Sequence, residues 1–243
     1  MALRSRPSGY PPGYKPHLGD TRQYWRDIIL GVNDGLVSIF LLVVGVVGGG
    51  LNTAQVLLTG VAGALAGAIS MAAGEYLATK SQDEVLDAEL KLEQEHIQKF
   101  RYMELDQLRG FFLDMGVEEE DLPGVMAAFE DNDQALLSAM KSLEFGVVDS
   151  ERRSAYRAMA ASGLLFLLGS LPAVLPFAFA SSTGFALTLA SIFSLSGLFL
   201  VGVVKALVVE KNWLVAGLEN MVVSGLGGIA AWYIGDAVGA GLA

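Results

Sequence analysis

The chain alternates between long apolar stretches and one long polar stretch. Five apolar stretches are each long enough to cross the hydrocarbon core of a membrane, which takes about 20 helical residues. Short polar loops separate them, and five such stretches in one chain disfavour the alternative that each is a buried core helix. The pattern therefore predicts an all-α membrane protein with five transmembrane helices, at Ile28–Gly50, Val56–Ala78, Met159–Ala180, Phe185–Val209 and Trp213–Ile234.

The polar segments complete the predicted organisation. Residues 1–27 contain Pro, Gly, Tyr and five basic residues without an apolar run, which is typical of a tail and not of a signal peptide. Residues 80–157 form an acidic insert that is too long for a simple loop and has mostly helical periodicity. We therefore predict a tail (1–27), spans one and two (28–79), the insert (80–157), and spans three to five with a short C-terminal tail (158–243).

Lys and Arg residues predict the orientation. All 16 of them lie in the N-terminal tail, in the insert or beside the turn between the last two spans. The loops at 51–55 and 181–184 and the C-terminal tail have none. Because loops rich in Lys and Arg stay in the cytoplasm, we predict that the N-terminus and the insert are cytoplasmic. The membrane is then a bacterial inner membrane or a vacuolar membrane.

Composition narrows the possible partners. The chain is 53% hydrophobic and only 17% charged, which excludes a simple soluble globule. From Lys80 to Glu151 there are 19 acidic and six basic residues, and the whole chain has a net charge of −10. This balance argues against a nucleic-acid partner, since phosphate binding needs clustered basic residues. The absence of cysteine excludes disulfides and thiolate metal sites.

Three acidic residues fall inside the predicted spans: Asp34, Glu75 and Glu219. An ionisable residue at membrane depth costs at least about 2.5 kcal/mol, so each is a candidate functional residue. Counting along the helices predicts comparable depths for all three, with Met71 on the same helix face as Glu75. No basic residue lies deep enough to neutralise them, so they are protonated, hydrated or bound to a cation. The alternative for Glu75 and Asp34 is snorkelling to water, and the alternative for Met71 is ordinary packing against lipid or helices. Carboxylate and thioether ligands together favour a borderline divalent ion over Na⁺ or Mg²⁺.

Side chains that can bind metal recur along one side of the insert. At 100° per residue, Glu104 returns to within about 20° of Glu93, on one long helix or on a helix pair. A further predicted helix places Met140 and Glu144 on one face, whereas the run at 118–121 is interpreted as solvated. Two interpretations remain open for this polar stripe of the insert: a metal site and a solvated helix face. The stripe comprises Glu89, Glu93, His96, Glu104 and Gln107.

Enzyme motifs are incomplete. The sequence Glu93-x-x-His96 is one half of the motif pair of di-iron helical bundles, but the only other histidine is His17 in the tail. A complete di-iron site within one chain is therefore not expected. Ser, His and Asp are not arranged for hydrolysis, and no phosphate-binding loop is present, so we predict no enzyme and no ATP-driven transport.

Several segments resemble the vacuolar iron transporter family. They are Asp34-Gly35-Leu36-Val37-Ser38 in the first span, Ser70-Met71-Ala72-Ala73-Gly74-Glu75-Tyr76 in the second, the Glu-rich insert, Pro172–Phe177, and Gly225–Gly235. The resemblance extends from about residue 27 to residue 235. It implies a homodimer of five-span protomers that exchanges cytoplasmic Fe²⁺, or a similar divalent ion, for protons.

The resemblance also implies roles for individual residues. Asp34 and Met71 match the family's ion path, and Glu75 matches its second-span glutamate. The insert positions that match the family's metal ligands are Glu93, Glu104, Met140 and Glu144, with His96 and Gln107 where the family has glutamate. Imidazole can bind Fe²⁺ but an amide is a poor ligand. We therefore expect the insert to hold fewer ions than in the family.

The resulting hypothesis is an Fe²⁺ exporter that works by proton antiport. The insert would raise the local metal concentration. The path would be formed by Asp34, Met71 and Glu75, with Glu219 as an additional proton site. The ions considered are Fe²⁺, Mn²⁺, Zn²⁺ and Co²⁺, as cargo and not as a permanent cofactor. Two alternatives remain: a membrane-anchored metal buffer or sensor, and a ferroxidase that is assembled across a dimer from one Glu93-x-x-His96 motif per chain.

Overall fold

The computed structural model describes residues 21–146 and 154–242 of the chain. Within these ranges the secondary structure is helical, and the helices are joined by turns and short extended segments. The helices are α1 (Thr21–Gly48), α2 (Thr53–Lys99), α3 (Arg101–Asp114), α4 (Leu122–Met126), α5 (Asp133–Leu143), α6 (Ala155–Val174), α7 (Pro176–Phe179), α8 (Thr183–Val208) and α9 (Trp213–Leu242).

Five of the described helices are long and apolar enough to cross a membrane: α1, α2, α6, α8 and α9. This confirms the predicted five-span, all-α fold with a helical segment between the second and third spans. Several boundaries differ from the sequence pattern. Helices α2 and α9 continue to Lys99 and Leu242, past the predicted span ends at Ala78 and Ile234. Helix α1 already begins at Thr21, before the predicted span at Ile28. The third apolar stretch is divided, because α6 ends at Val174 and Pro176 starts the short helix α7.

Helix α2 is one continuous helix of 47 residues, or about 70 Å. A capping box starts it: the Asn52 side chain accepts from the Gln55 backbone N–H, and the Gln55 side chain accepts from the Asn52 N–H. About 20 residues suffice to span the hydrocarbon core. The remainder of α2 therefore extends beyond the membrane and belongs to the insert. We call this side of the bundle the insert side and the opposite side the far side.

Helix α6 lies between α1 and α2 on the insert side. A Cβ atom on Gly35 of α1 would overlap the backbone carbonyl of Phe166 in α6. The ring of the same phenylalanine lies against Gly67 of α2. Nearer the far side, α1 and α2 touch directly, with Gly60 against Val43. The two helices are thus in contact at the far side and separated by α6 at the insert side.

Helix α9 packs along the opposite flank of α1 in parallel orientation, since Asn220 meets Asn33 near the insert side and Gly235 meets Gly45 near the far side. Close backbone approaches fix its register. A Cβ atom on Gly235 would overlap the backbone carbonyl of Gly45, and one on Gly239 would overlap that of Gly49, just after α1. On the insert side a short turn connects α8 to α9, and the two helices pack closely there, with Gly202 of α8 against Ala216 of α9. The loops of the far side are joined by a hydrogen bond between the hydroxyls of Thr53 and Thr183, 2.7 Å apart.

The insert has a small apolar core of its own. Its buried members come from α2, α3, α4 and α5: Ile97, Leu108, Met126, Leu136 and Met140. Arg101 at the start of α3 donates to the carbonyls of Phe129 and Glu130, at 2.9 Å and 2.6 Å, and pairs with Asp133. These contacts hold α3 and α5 against the extramembrane end of α2. The core thereby positions the charged residues of the insert.

Candidate metal centre

A break in the helix brings the acidic residues of the insert together. Helix α2 ends at Lys99, Phe100 has non-helical backbone angles (φ −134°, ψ 33°), and α3 begins at Arg101. On one continuous helix Glu93 and Glu104 would be about 16 Å apart along the axis. Because the chain changes direction at Phe100, the two carboxylates converge instead. The structure therefore selects the helix pair, which the sequence pattern left open.

Glu93, His96 and Glu104 form the resulting cluster. One ligand atom of each residue lies within 4.8 Å of the corresponding atoms of the other two. Nδ1 of His96 is 3.4 Å from Oε1 of Glu104. Among the described residues, this is the group of three or more His or acidic side chains close enough to hold one metal ion. Two carboxylates and an imidazole are suitable ligands for Fe²⁺, Mn²⁺ or Zn²⁺.

Burial makes this cluster different from ordinary surface acids. Glu93 is 4% exposed and Glu104 is 6% exposed. Oε1 of Glu93 and Oε2 of Glu104 are buried without a hydrogen-bond partner. Buried carboxylates without partners are costly unless they share a proton or coordinate a cation. The cluster therefore has unused coordination capacity that points to a cation.

The electrostatics of the cluster favour protonation when no metal is bound. Burial is the largest cause that raises the pKa of Glu93, from 4.5 to about 7. Repulsion from Glu104 and Glu144 and a hydrogen bond with Glu104 are the smaller causes of the same rise in the pKa to about 7. A hydrogen bond between two carboxyl groups requires a proton on one of them. Proton and metal therefore compete for the same oxygen atoms near neutral pH.

The other predicted insert ligands lie around this cluster and not within it. Glu144 follows α5, is exposed, and is near enough to act on Glu93 electrostatically. Met140 is fully buried in the apolar core of the insert. Glu89 and Gln107 are exposed, about one turn beyond Glu93 on α2 and Glu104 on α3. The four exposed acids at 118–121 agree with the predicted solvated run, and Glu119 pairs with Arg109.

The transmembrane candidates are half-buried side chains on two separated helices. Asp34 on α1 accepts a 3.2 Å hydrogen bond from the hydroxyl of Ser38, one turn away. Glu75 on α2 accepts a 3.5 Å bond from the buried hydroxyl of Thr79, also one turn away. Met71 is half-buried and packs against the apolar core of the bundle. Within one chain, α6 lies between the insert-side halves of the two helices that carry these residues.

Helix register corrects the predicted depths. Asn220 bonds to Asn33, so Glu219 and Asp34, their sequence neighbours, lie at one level. The contacts of Gly63 with Ile39 and Leu42 set the register of α2 against α1, which places Glu75 at about the level of residue 28. Glu75 therefore lies about 9 Å closer to the insert side than Asp34. The prediction of one common depth is wrong for Glu75, because the turn between α1 and α2 lies farther from Glu75 than from Asp34.

Glu219 lies apart from the other two acids. Its side chain is on an exposed face of α9, although it is level with Asp34. The residue of α9 that contacts α1 at this level is its neighbour Asn220, whose amide donates to Oδ1 of Asn33 at 2.8 Å. A search restricted to ionisable residues misses this pair. The signal that would have found it is the presence of an amide side chain in each of two apolar spans.

Fold and site together define a multi-pass membrane protein that carries a carboxylate–imidazole site on an extramembrane helical insert. The model of the VIT family matches residues 25–236. The chain therefore belongs to the VIT family, which confirms the resemblance seen in the sequence motifs.

Similar proteins cover nearly the same length. Vacuolar iron transporter 2 of Oryza sativa subsp. japonica is 32% identical over 213 residues, which cover 88% of this chain and 87% of the relative. Vacuolar iron transporter 1 of Arabidopsis thaliana is 30% identical over 213 residues, with 88% and 85% covered. The vacuolar iron transporter of Plasmodium berghei is 25% identical over 232 residues, with 90% and 84% covered.

Proposed function

We propose that this protein transports Fe²⁺ across a membrane, from the insert side to the far side, in exchange for protons. The single observation that carries the proposal is the cluster of buried Glu93 and Glu104 with His96, where the extramembrane end of a membrane-spanning helix meets α3. Membership of the VIT family and the iron transport named in its relatives support iron as the cargo. Mn²⁺, Zn²⁺ and Co²⁺ suit the same ligand types.

The insert collects metal in this proposal. Between Lys80 and Glu151 there are 19 acidic and six basic residues, which attract cations to the insert side of the membrane. The cluster then binds a divalent ion through Glu93, His96 and Glu104, with Glu144, Glu89 and Met140 nearby. Gln107 contributes no charge. Metal binding releases the proton that the buried carboxyl groups share.

The membrane path begins at Glu75 and continues through Met71 to Asp34. The register of α1 and α2 supports this order, because Glu75 is nearest to the insert side. A thioether and carboxylates suit Fe²⁺ better than Na⁺ or Mg²⁺. Protons that enter from the far side compete with the metal for the same carboxylates, and this competition couples the two flows. Glu219 is an additional proton site in this scheme.

A homodimer completes the path. The face of α1 that carries Asp34 is open in one chain: Leu30, one turn away, is 52% exposed, and Ser38 is exposed. A carboxylate on a lipid-facing helix surface is costly, so a protein surface is expected to cover it. A second copy of the chain would bring two Asp34 side chains and the α2 residues around one common path. The family resemblance implies the same assembly.

Transport by purified protein in liposomes tests the proposal. Vesicles with an acidic interior are given external Fe²⁺ under reducing conditions, and uptake and internal pH are recorded together. We expect Fe²⁺ uptake with proton efflux, and loss of both in the Asp34→Ala Met71→Ala double variant. Asp236→Asn is the matched control, because Asp236 is exposed near the far-side end of α9, outside the proposed path.

The same assay separates the alternative functions. Metal binding without uptake would replace transport by a buffer or sensor function. Oxygen consumption on addition of Fe²⁺, lost in His96→Ala, would favour the ferroxidase. Fe²⁺ uptake that leaves the internal pH unchanged would retain iron transport and reject proton antiport.

A further inference from the structure

We propose that Asn220 is a positioning residue for transport, which holds α1 in the rotation that presents Asp34 to the ion path. The inference rests on the proposed function, in which Asp34 binds the transported ion. It concerns a residue that carries no charge and that lies on a helix, α9, without a role in binding metal.

The amide of Asn220 joins three helices at one point. Its Nδ2 donates to Oδ1 of Asn33 on α1 and to the backbone carbonyl of Leu198 on α8, each at 2.8 Å. Asn33 and Asn220 are both half-buried within membrane-spanning helices. In hydrocarbon, a hydrogen bond between helices has no competition from water and constrains their relative rotation. Asn220 therefore ties α1 to the α8–α9 pair.

The bond acts on Asp34 through the geometry of α1. Asp34 follows Asn33 directly, so the two side chains point about 100° apart. Because Asn33 is held against α9, Asp34 is turned away from α9, onto the face that carries Leu30 and Ser38. This face is open in one chain, with Leu30 52% exposed. A rotation of α1 that broke the Asn33–Asn220 bond would move Asp34 off this face.

Kinetics of Fe²⁺ uptake test the proposal. In Asn220→Leu, α1 samples rotations in which Asp34 does not face the path, so only a fraction of the protein binds the ion. The apparent dissociation constant for Fe²⁺ equals the intrinsic constant divided by that fraction. Saturating Fe²⁺ restores the maximal rate. Coupling energies of such bonds predict a KM between about 3-fold and 15-fold higher. Ser224→Ala is the matched control, because it removes a 2.8 Å bond to the Asn220 carbonyl within α9 and should leave KM unchanged.

A double variant distinguishes positioning from general damage. Asn33→Leu leaves the bond between Asn220 and Leu198 in place and should raise KM as much as Asn220→Leu does. If both act through one bond, the double variant has the KM of either single variant. Multiplying effects, or a KM within twofold of wild type in both single variants, would overturn the proposal. Either of these outcomes rejects only the role of Asn220, and not the proposed function, provided that wild-type protein takes up Fe²⁺ and Asp34→Asn does not.

A second measurement is independent of transport. The chain contains no cysteine, so a single introduced thiol can be labelled specifically. Leu30→Cys, on the face of α1 that the proposed path follows, should react faster with a small water-soluble reagent than Ile39→Cys, at a position that is 3% exposed. Asn220→Leu should reduce this contrast in rates, whereas Ser224→Ala should not. An unchanged contrast would mean that Asn220 does not set the rotation of α1.

Discussion

The insert and the transmembrane bundle both carry candidate metal ligands, but they arrange them in different ways. In the insert, Glu93, His96 and Glu104 converge within one chain and two of them are almost fully buried. In the bundle, Asp34 and Glu75 are half-buried and lie at different levels. Each accepts a hydrogen bond from a hydroxyl group one turn away on its own helix. In the proposed function this difference corresponds to two tasks: the cluster in the insert retains an ion, whereas the dispersed ligands of the bundle allow it to move on. Four experiments separate these tasks.

The largest expected effect is the loss of transport with binding preserved. The Asp34→Ala Met71→Ala double variant should reduce Fe²⁺ flux in liposomes to the level of empty vesicles. Its insert is unchanged, so Zn²⁺ binding by the insert, measured by calorimetry on the detergent-solubilised protein, should equal that of wild type. Loss of binding together with flux would show that the two regions are not separable.

The reverse change should weaken binding and leave some flux. Glu93→Gln keeps the shape of the side chain and removes one ligand charge from the cluster. We expect Zn²⁺ affinity of the insert to fall at least about 10-fold, which is the lower range for disturbing a metal site. Glu95→Gln is the control on the same helix, because Glu95 is exposed at the surface and paired with Lys99 at 3.1 Å. An equal loss of Zn²⁺ affinity in both variants would mean that the overall negative charge of the insert attracts the ion, and that Glu93 is not a specific ligand.

The pH dependence of stability should distinguish the buried cluster from surface acids. The pKa of Glu93 is about 7 in the fold and 4.5 for an unperturbed glutamate, so the folded protein binds the proton more tightly than the unfolded chain. Its stabilising contribution is complete below pH 4.5 and is lost as the pH rises to about 7. Metal-free wild type should therefore lose thermal stability between pH 5 and pH 8 relative to Glu93→Gln. Zn²⁺ should restore it at pH 8 but not at pH 5; parallel profiles for the two proteins would contradict the raised pKa.

The smallest effect is expected from the acidic run that the structure leaves in solvent. Simultaneous replacement of Glu118, Glu119 and Glu120 by Gln removes three charges from an exposed turn. Because exposed charges are screened within about 10 Å at ordinary ionic strength, Zn²⁺ affinity of the cluster should change less than about twofold. The measurement is the same calorimetric titration. A tenfold loss would assign the run to the binding site.

Much of the architecture could be predicted because it depends on hydrophobic length. The five spans and the helical insert follow from apolar runs, and Glu93 and Glu104 follow from helical periodicity. The convergence of these two residues could not be predicted, since it depends on a break at Phe100, and phenylalanine is neither a glycine nor a proline signal. The level of Glu75 and the bond between Asn33 and Asn220 depend on the register between helices, which periodicity within one helix does not contain.

The uninterrupted course of α2 has a mechanical consequence. Glu93 and Glu75 are 18 residues apart on the same helix, or about 27 Å. In the proposed path this distance is too long for direct transfer, so the ion would cross the gap by diffusion in the field of the insert. The same stiffness makes α2 a lever: a tilt of about 5° around Glu75 displaces Glu93 by about 2 Å. If an ion at the cluster tilts this end of α2, the continuous helix carries the movement to Glu75, where the proposed membrane path begins.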